Sequence, residues 1–112
     1  MPFIHVQTNQ SAADAKSFLK RLSTISAKAI GKPEAYIQTA LEADSEMTFA
    51  GTDEPTAFIQ CKSIGLNDSI TESISAAISS FCEIELSIPK DRIYIEFVGV
   101  TGKMWGWKGA TF

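Results

Sequence analysis

FIHVQT (residues 3–8) and AFIQCKSI (residues 57–64) alternate in the way strands do, and the second repeats the first. Phe3-Ile4-x-Val6 overlays Phe58-Ile59-x-Cys61, and further on Pro33-x-x-Tyr36-Ile37 overlays Pro89-x-x-Arg92-Ile93. The identities are few, but the element order around them matches as well. A helical pattern follows each strand, and a second strand follows each helix. Strands are expected at 36–42 and 93–100. The reading is an α/β sandwich of two pseudo-repeated β-α-β units, about 1–55 and 56–112, within one domain. Four strands form a mixed sheet with both helices on one face, and each crossover is right-handed.

The helices are written in the spacing of apolar residues. Ala15, Phe18, Leu19, Leu22, Ile25 and Ala29 recur at threes and fours, with Ser11 and Asp14 forming a capping box before them. Gly31 ends this helix and Pro33 prevents its continuation. The second stripe is Ile74, Ala77, Ile78 and Phe81, opened by the box Ser69-Ile70-Thr71-Glu72, with serines 73, 75, 79 and 80 on the wet side. Between the repeats, 43–55 reads as a loop with a short strand near 47–49. Two helices cover one sheet face only. A four-stranded sheet cannot leave its other face apolar in water, so an oligomer is expected.

Composition removes several function classes. The 112 residues are 45% hydrophobic and 21% charged, with net charge −3. Lysines and arginines form no stripe, so nucleic-acid binding has no electrostatic footprint. No stretch approaches the ~20 apolar residues of a membrane span, and no basic region precedes an apolar run. A leaderless cytoplasmic protein is the expectation. Cys61 and Cys82 make no CxxC and read as buried free thiols; the single histidine, His5, reads as a strand residue with a satisfied ring. No metal site and no cofactor are expected.

Pro2 is the residue with chemistry to offer. Proline lacks the N–H a sheet ladder uses, so it is tolerated where a strand starts. If the initiator methionine is removed, as a small second side chain allows, Pro2 becomes a secondary amine. An α-amino group titrates at about 7.7–8.0, and modest desolvation or a nearby cation makes it a neutral general base. Lys32, past a helix end, is either a solvated charge or a holder of a substrate carboxylate. Tyr94 and Glu96 share a strand face and could line a pocket, as could Trp105 and Trp107 in the aromatic tail.

Taken in order, these segments resemble the macrophage migration inhibitory factor family of the tautomerase superfamily. The similarity rests on MPFIHVQTN at the start, Gly31-Lys32-Pro33 with Tyr36-Ile37, and Met47-Thr48-Phe49-Ala50-Gly51. It continues through Glu54-Pro55, Ser63-Ile64-Gly65 and Pro89-x-Asp91-Arg92-Ile93-Tyr94-Ile95 to Trp105-Gly106-Trp107-x-Gly109-x-Thr111-Phe112.

The resemblance implies a homotrimer with active sites between subunits, and a cofactor-independent keto–enol tautomerase acting on phenylpyruvate-like α-keto acids and dopachrome-type compounds. It implies an exposed Pro2 amine as base, and Lys32 with the backbone at Ile64 as carboxylate binders. Tyr94 would come from the neighbouring chain, with Phe3, Tyr36, Trp105, Trp107 and Phe112 as the wall. Glu96 stands where animal members carry asparagine, and an extra carboxylate there disfavours an anionic substrate. Bulky Trp105 narrows the pocket. Thr56-Ala57-Phe58-Ile59 replaces the animal CxxC, and Ser11-Ala12-Ala13 lacks the arginine of the cytokines, so neither thiol redox chemistry nor receptor binding is implied. A family-like binding or signalling protein with a vestigial site is the alternative. Hydrolytic dehalogenation would want pocket arginines, and Arg21 and Arg92 are not placed for it.

Overall fold

A computed structural model describes all 112 residues. Strand β1 (Phe3–Thr8) leads to helix α1 (Ala15–Ile30) and strand β2 (Gln38–Glu42). Strand β3 (Ala57–Ile64) then leads to helix α2 (Asp68–Leu86) and strand β4 (Ile93–Val100). The sheet order is β2-β1-β3-β4. β1 is parallel to β2 and antiparallel to β3, which is parallel to β4. The two β-α-β units therefore meet back to back along β1 and β3, as the repeated motif requires.

Alternation decides which face the helices cover. In β1, Ile4, Val6 and Thr8 are buried while Phe3, His5 and Gln7 are only half-buried. In β3, Ala57, Ile59, Cys61 and Ser63 are buried. These side chains form one core with Phe18 and Leu22 of α1 and Ile74, Ile78 and Cys82 of α2. Each fully buried Ile or Leu contributes about 1.5–3 kcal/mol by leaving water.

The helix starts differ from the capping boxes read in the sequence. Asp14 alone caps α1, accepting from the Ser17 amide at 3.1 Å, while the Ser11 hydroxyl donates to the Asp44 carboxylate. Helix α2 begins earlier, because Asn67 accepts from the Ser69 amide at 3.0 Å. Ser79 is buried, not wet. It lies three residues before Cys82, on the flank of α2 that the apolar stripe widens to include. Ala15 is exposed in the first turn of α1.

The loop strand near 47–49 is a single bridge, Phe49 to Thr52. β2 starts two residues later than expected, because Pro33 is followed by a 3₁₀ turn over Glu34–Tyr36. Pro89 is followed by the same kind of turn over Lys90–Arg92. The chain ends in a hairpin of β5 (Gly106–Trp107) and β6 (Ala110–Thr111). No helix is long and apolar enough to cross a membrane.

Candidate active site

The 3₁₀ turn that delays β2 aims Tyr36 at the start of β1, and the C-terminal hairpin closes over the same place. Between them is a cavity of about 320 Å³ lined by Met1, Pro2, Ala35, Tyr36, Ile37, Gln38, Trp105, Gly106, Trp107 and Phe112. Pro2 is thus brought together with Tyr36, Trp105, Trp107 and Phe112 of the residues singled out by sequence. Ala35, Ile37 and Gln38 carried no signal beyond adjacency to Tyr36.

The wall is built by aromatic packing. Trp107 and Phe112 stack at 5.0 Å with planes 7° apart, and the Tyr36 ring meets Trp107 nearly at right angles at 5.8 Å. The Phe112 amide donates to the Trp105 carbonyl at 3.2 Å, which holds the tail in place. The hairpin turns at Lys108 and Gly109, with φ of 54° and 73°. Positive φ at both central residues is the primed turn that suits strand twist. For a lysine, the left-handed region costs about 1–2 kcal/mol.

The Pro2 side chain is fully buried, and its nitrogen is held in the peptide bond to Met1. Met1 lines the cavity beside it, and the Pro2 carbonyl accepts from the Gln38 amide at 3.0 Å. The chain's α-amino group, here on Met1, is held below its ordinary pKa of 8.0 by burial first and by the Lys32 ammonium second. Lys32 itself is exposed, just beyond the left-handed Gly31 that ends α1.

The remaining candidates lie elsewhere on the chain. Phe3 stacks on His5 at 6.0 Å, on the sheet face that the helices leave open. Ile64 ends β3 opposite Val100. Extending the antiparallel register past Phe3↔Lys62 runs Ser63 and Ile64 toward Pro2 and Met1.

Tyr94 is 64% exposed and packs on Phe49 at 4.8 Å, in a separate apolar hollow with Met47 and Phe58. It is opposite Phe58, itself opposite Gln7. That is five residues along the strand from Pro2, about 17 Å at ~3.3 Å per residue.

Glu96 accepts from Gln60 at 3.2 Å. Gln60 meets His5 Nδ1 at 3.3 Å, and His5 Nε2 meets Glu42 at 3.3 Å, so a polar row crosses all four strands. His5 is satisfied at both ring nitrogens. Within one chain, neither Tyr94 nor Glu96 reaches the Pro2 cavity.

Both arginines have structural partners. Arg21 pairs with Glu85 across the helices, and Arg92 is spent on backbone carbonyls of the 49–55 loop. Cys61 and Cys82 are buried free thiols. No group of three or more His, Cys, Asp or Glu side chains converges as a metal site would need.

A mixed sheet carrying both crossover helices on one face, with a proline in the lining of an aromatic cavity, defines the tautomerase-type sandwich. The family model for macrophage migration inhibitory factor matches residues 1–112, and the chain belongs to that family. The homologue from Brugia malayi is 35% identical, covering 100% of this chain and 99% of its own. The mouse protein, macrophage migration inhibitory factor of Mus musculus, is 34% identical with the same coverage. Among solved structures, the homologue from Prochlorococcus marinus superposes with TM-score 0.93 at 44% identity, covering 98% of each chain.

Proposed function

We propose that the protein is a cofactor-independent keto–enol tautomerase whose general base is the Pro2 amine, freed by removal of Met1. The observation that carries this reading is the depressed pKa of the terminal amine in an aromatic cavity, caused by burial and Lys32. Pro2 nitrogen lies one residue along from that amine and lines the same cavity, so the reading extends both influences to it once Met1 is removed.

In the ketonisation of an enol such as that of phenylpyruvate, the amine takes the hydroxyl proton as the carbonyl forms. The former C=C electron pair then takes a proton at carbon from the same nitrogen. No electrons are exchanged with a cofactor. Lys32 neutralises the substrate carboxylate and the Ile64 backbone supports it. Tyr36, Trp105, Trp107 and Phe112 exclude water.

Tyr94 and Glu96 belong to this site only if a neighbouring copy supplies them, so the reading includes a homotrimer with sites at its subunit boundaries. The open sheet face bearing Phe3 would turn toward the other copies.

The test is ketonisation of phenylpyruvate enol by the parent, by Pro2→Gly, and by a variant with alanine inserted between Met1 and Pro2. Loss of a general base lowers kcat/KM about a hundredfold or more. Unchanged turnover in both variants sinks the mechanism, as does an intact mass that retains Met1. An inactive parent favours a binding protein on the same fold.

A further inference from the structure

We propose that Lys108 is a specificity-determining residue of this cavity, selecting substrates with a second anionic group remote from the α-keto acid; this rests on the tautomerase reading above. The Lys108 ammonium lies 4.4 Å from the centroid of Trp107, and Trp107 is a wall of the cavity. The ion pairs of the chain are His5–Glu42, Arg21–Glu85 and Lys90–Glu83, so Lys108 has no carboxylate partner, and neither has Lys32. The cavity lining contains no Asp or Glu. Two ammonium groups without an Asp or Glu partner therefore stand near an aromatic slot whose side chains carry no negative charge. Lys32 acts on the amine side, and Lys108 stands at the Trp107 wall.

The turn makes the choice of residue informative. Positions with the φ of Lys108 in a two-residue hairpin are filled by preference with Asn, Asp or Gly. Here a lysine is held in a conformation that L side chains avoid, and its head is presented over an aromatic face. A cation–π contact positions an ammonium without neutralising it, so the charge stays available to a ligand. An aromatic α-keto acid whose carboxylate meets Lys32 and whose ring packs along Trp107 would direct its para substituent toward Lys108. The chemical class is an aryl α-keto acid with a distal carboxylate.

The experiment compares the enols of phenylpyruvate and 4-carboxyphenylpyruvate with the parent, Lys108→Gln and Lys108→Arg. The readout is the ratio of kcat/KM for the para-carboxylate over the unsubstituted substrate. That ratio should fall about three- to fivefold in Lys108→Gln, the scale of a partly exposed ion pair. It should survive in Lys108→Arg, which keeps the cation, and decline in the parent as salt is raised. A ratio unchanged in Lys108→Gln overturns the proposal, and so does loss of the ratio in Lys108→Arg.

Tryptophan fluorescence titrations with cinnamate and 4-carboxycinnamate read the same preference without turnover. Tighter binding of the dicarboxylate that depends on Lys108, with no turnover of either enol, would sink the tautomerase reading and leave the anion selectivity standing. Turnover dependent on Pro2, with no advantage for either para-carboxylate, would do the reverse.

Discussion

Arg92 grips Phe49 twice, donating from its guanidinium to the Phe49 carbonyl at 3.1 Å and lying 5.3 Å from the centroid of the Phe49 ring. It also donates to the carbonyls of Pro55 at 2.8 Å and Glu54 at 3.0 Å. One side chain thus ties the long 43–56 connection to the start of β4, and the same Phe49 supports Tyr94.

Lysine cannot reproduce that fork, because its three donors sit on a single nitrogen. Arg92→Ala should destabilise the fold by about 2–3 kcal/mol and Arg92→Lys by a large part of it, since several carbonyls lose a charged donor. Urea unfolding measures both. If the lysine variant unfolds with the parent, the fork is not what orders the loop.

Gly99 makes a second prediction. A Cβ built there would lie 2.1 Å from the Leu66 carbonyl oxygen, well inside any contact real side chains make. The obstacle is backbone, from the turn that leaves β3 at Ile64. Gly99→Ala must therefore move the turn or the strand, at about 3 kcal/mol or more. A loss under ~0.5 kcal/mol in chemical unfolding would mean that the turn does not cross the strand so closely.

What the sequence could convey depended on how local each cause was. The bounds of β3 and β4 were legible in full, because period-two alternation against one core is a local signal. Ser11 was misjudged as part of a cap because its hydroxyl is claimed by Asp44, 33 residues away. The start of α2 was misjudged because Asn67 competes with Ser69 for the same role two residues earlier. Within the cavity, Pro2, Tyr36, Trp105, Trp107 and Phe112 were nameable by residue type and resemblance. Lys108 was not, since its position over Trp107 follows from the turn conformation and not from spacing.

The two cysteines should be silent in the native protein. Burial pushes the Cys61 thiol to about 11 and the Cys82 thiol to about 12, the latter raised further by Glu85. Only thiolate is nucleophilic, so at pH 8 neither reacts until the core opens. A disulfide-exchange reagent should titrate no thiol in the native state and both in denaturant. Rapid native labelling of either would contradict their burial.

The pH profile tests how Lys32 acts. A base works only when deprotonated, so kcat/KM should rise as pH passes upward through the amine pKa and level off above it. Burial and Lys32 both depress the Met1 amine below its ordinary 8.0, and the same direction carried to Pro2 in the same cavity places the rise below that value. Lys32→Gln removes the second influence and keeps most of the stem. Its acid limb should therefore move to higher pH, while burial keeps it short of an ordinary amine. The same change removes the partner of the substrate carboxylate, so KM should rise about tenfold, the scale of one charge-assisted hydrogen bond. The two effects are separable: KM reads the ligand contact at saturating pH, and the position of the limb reads the field at the nitrogen. A raised KM with an unmoved limb would leave Lys32 as an anion binder that the amine does not feel.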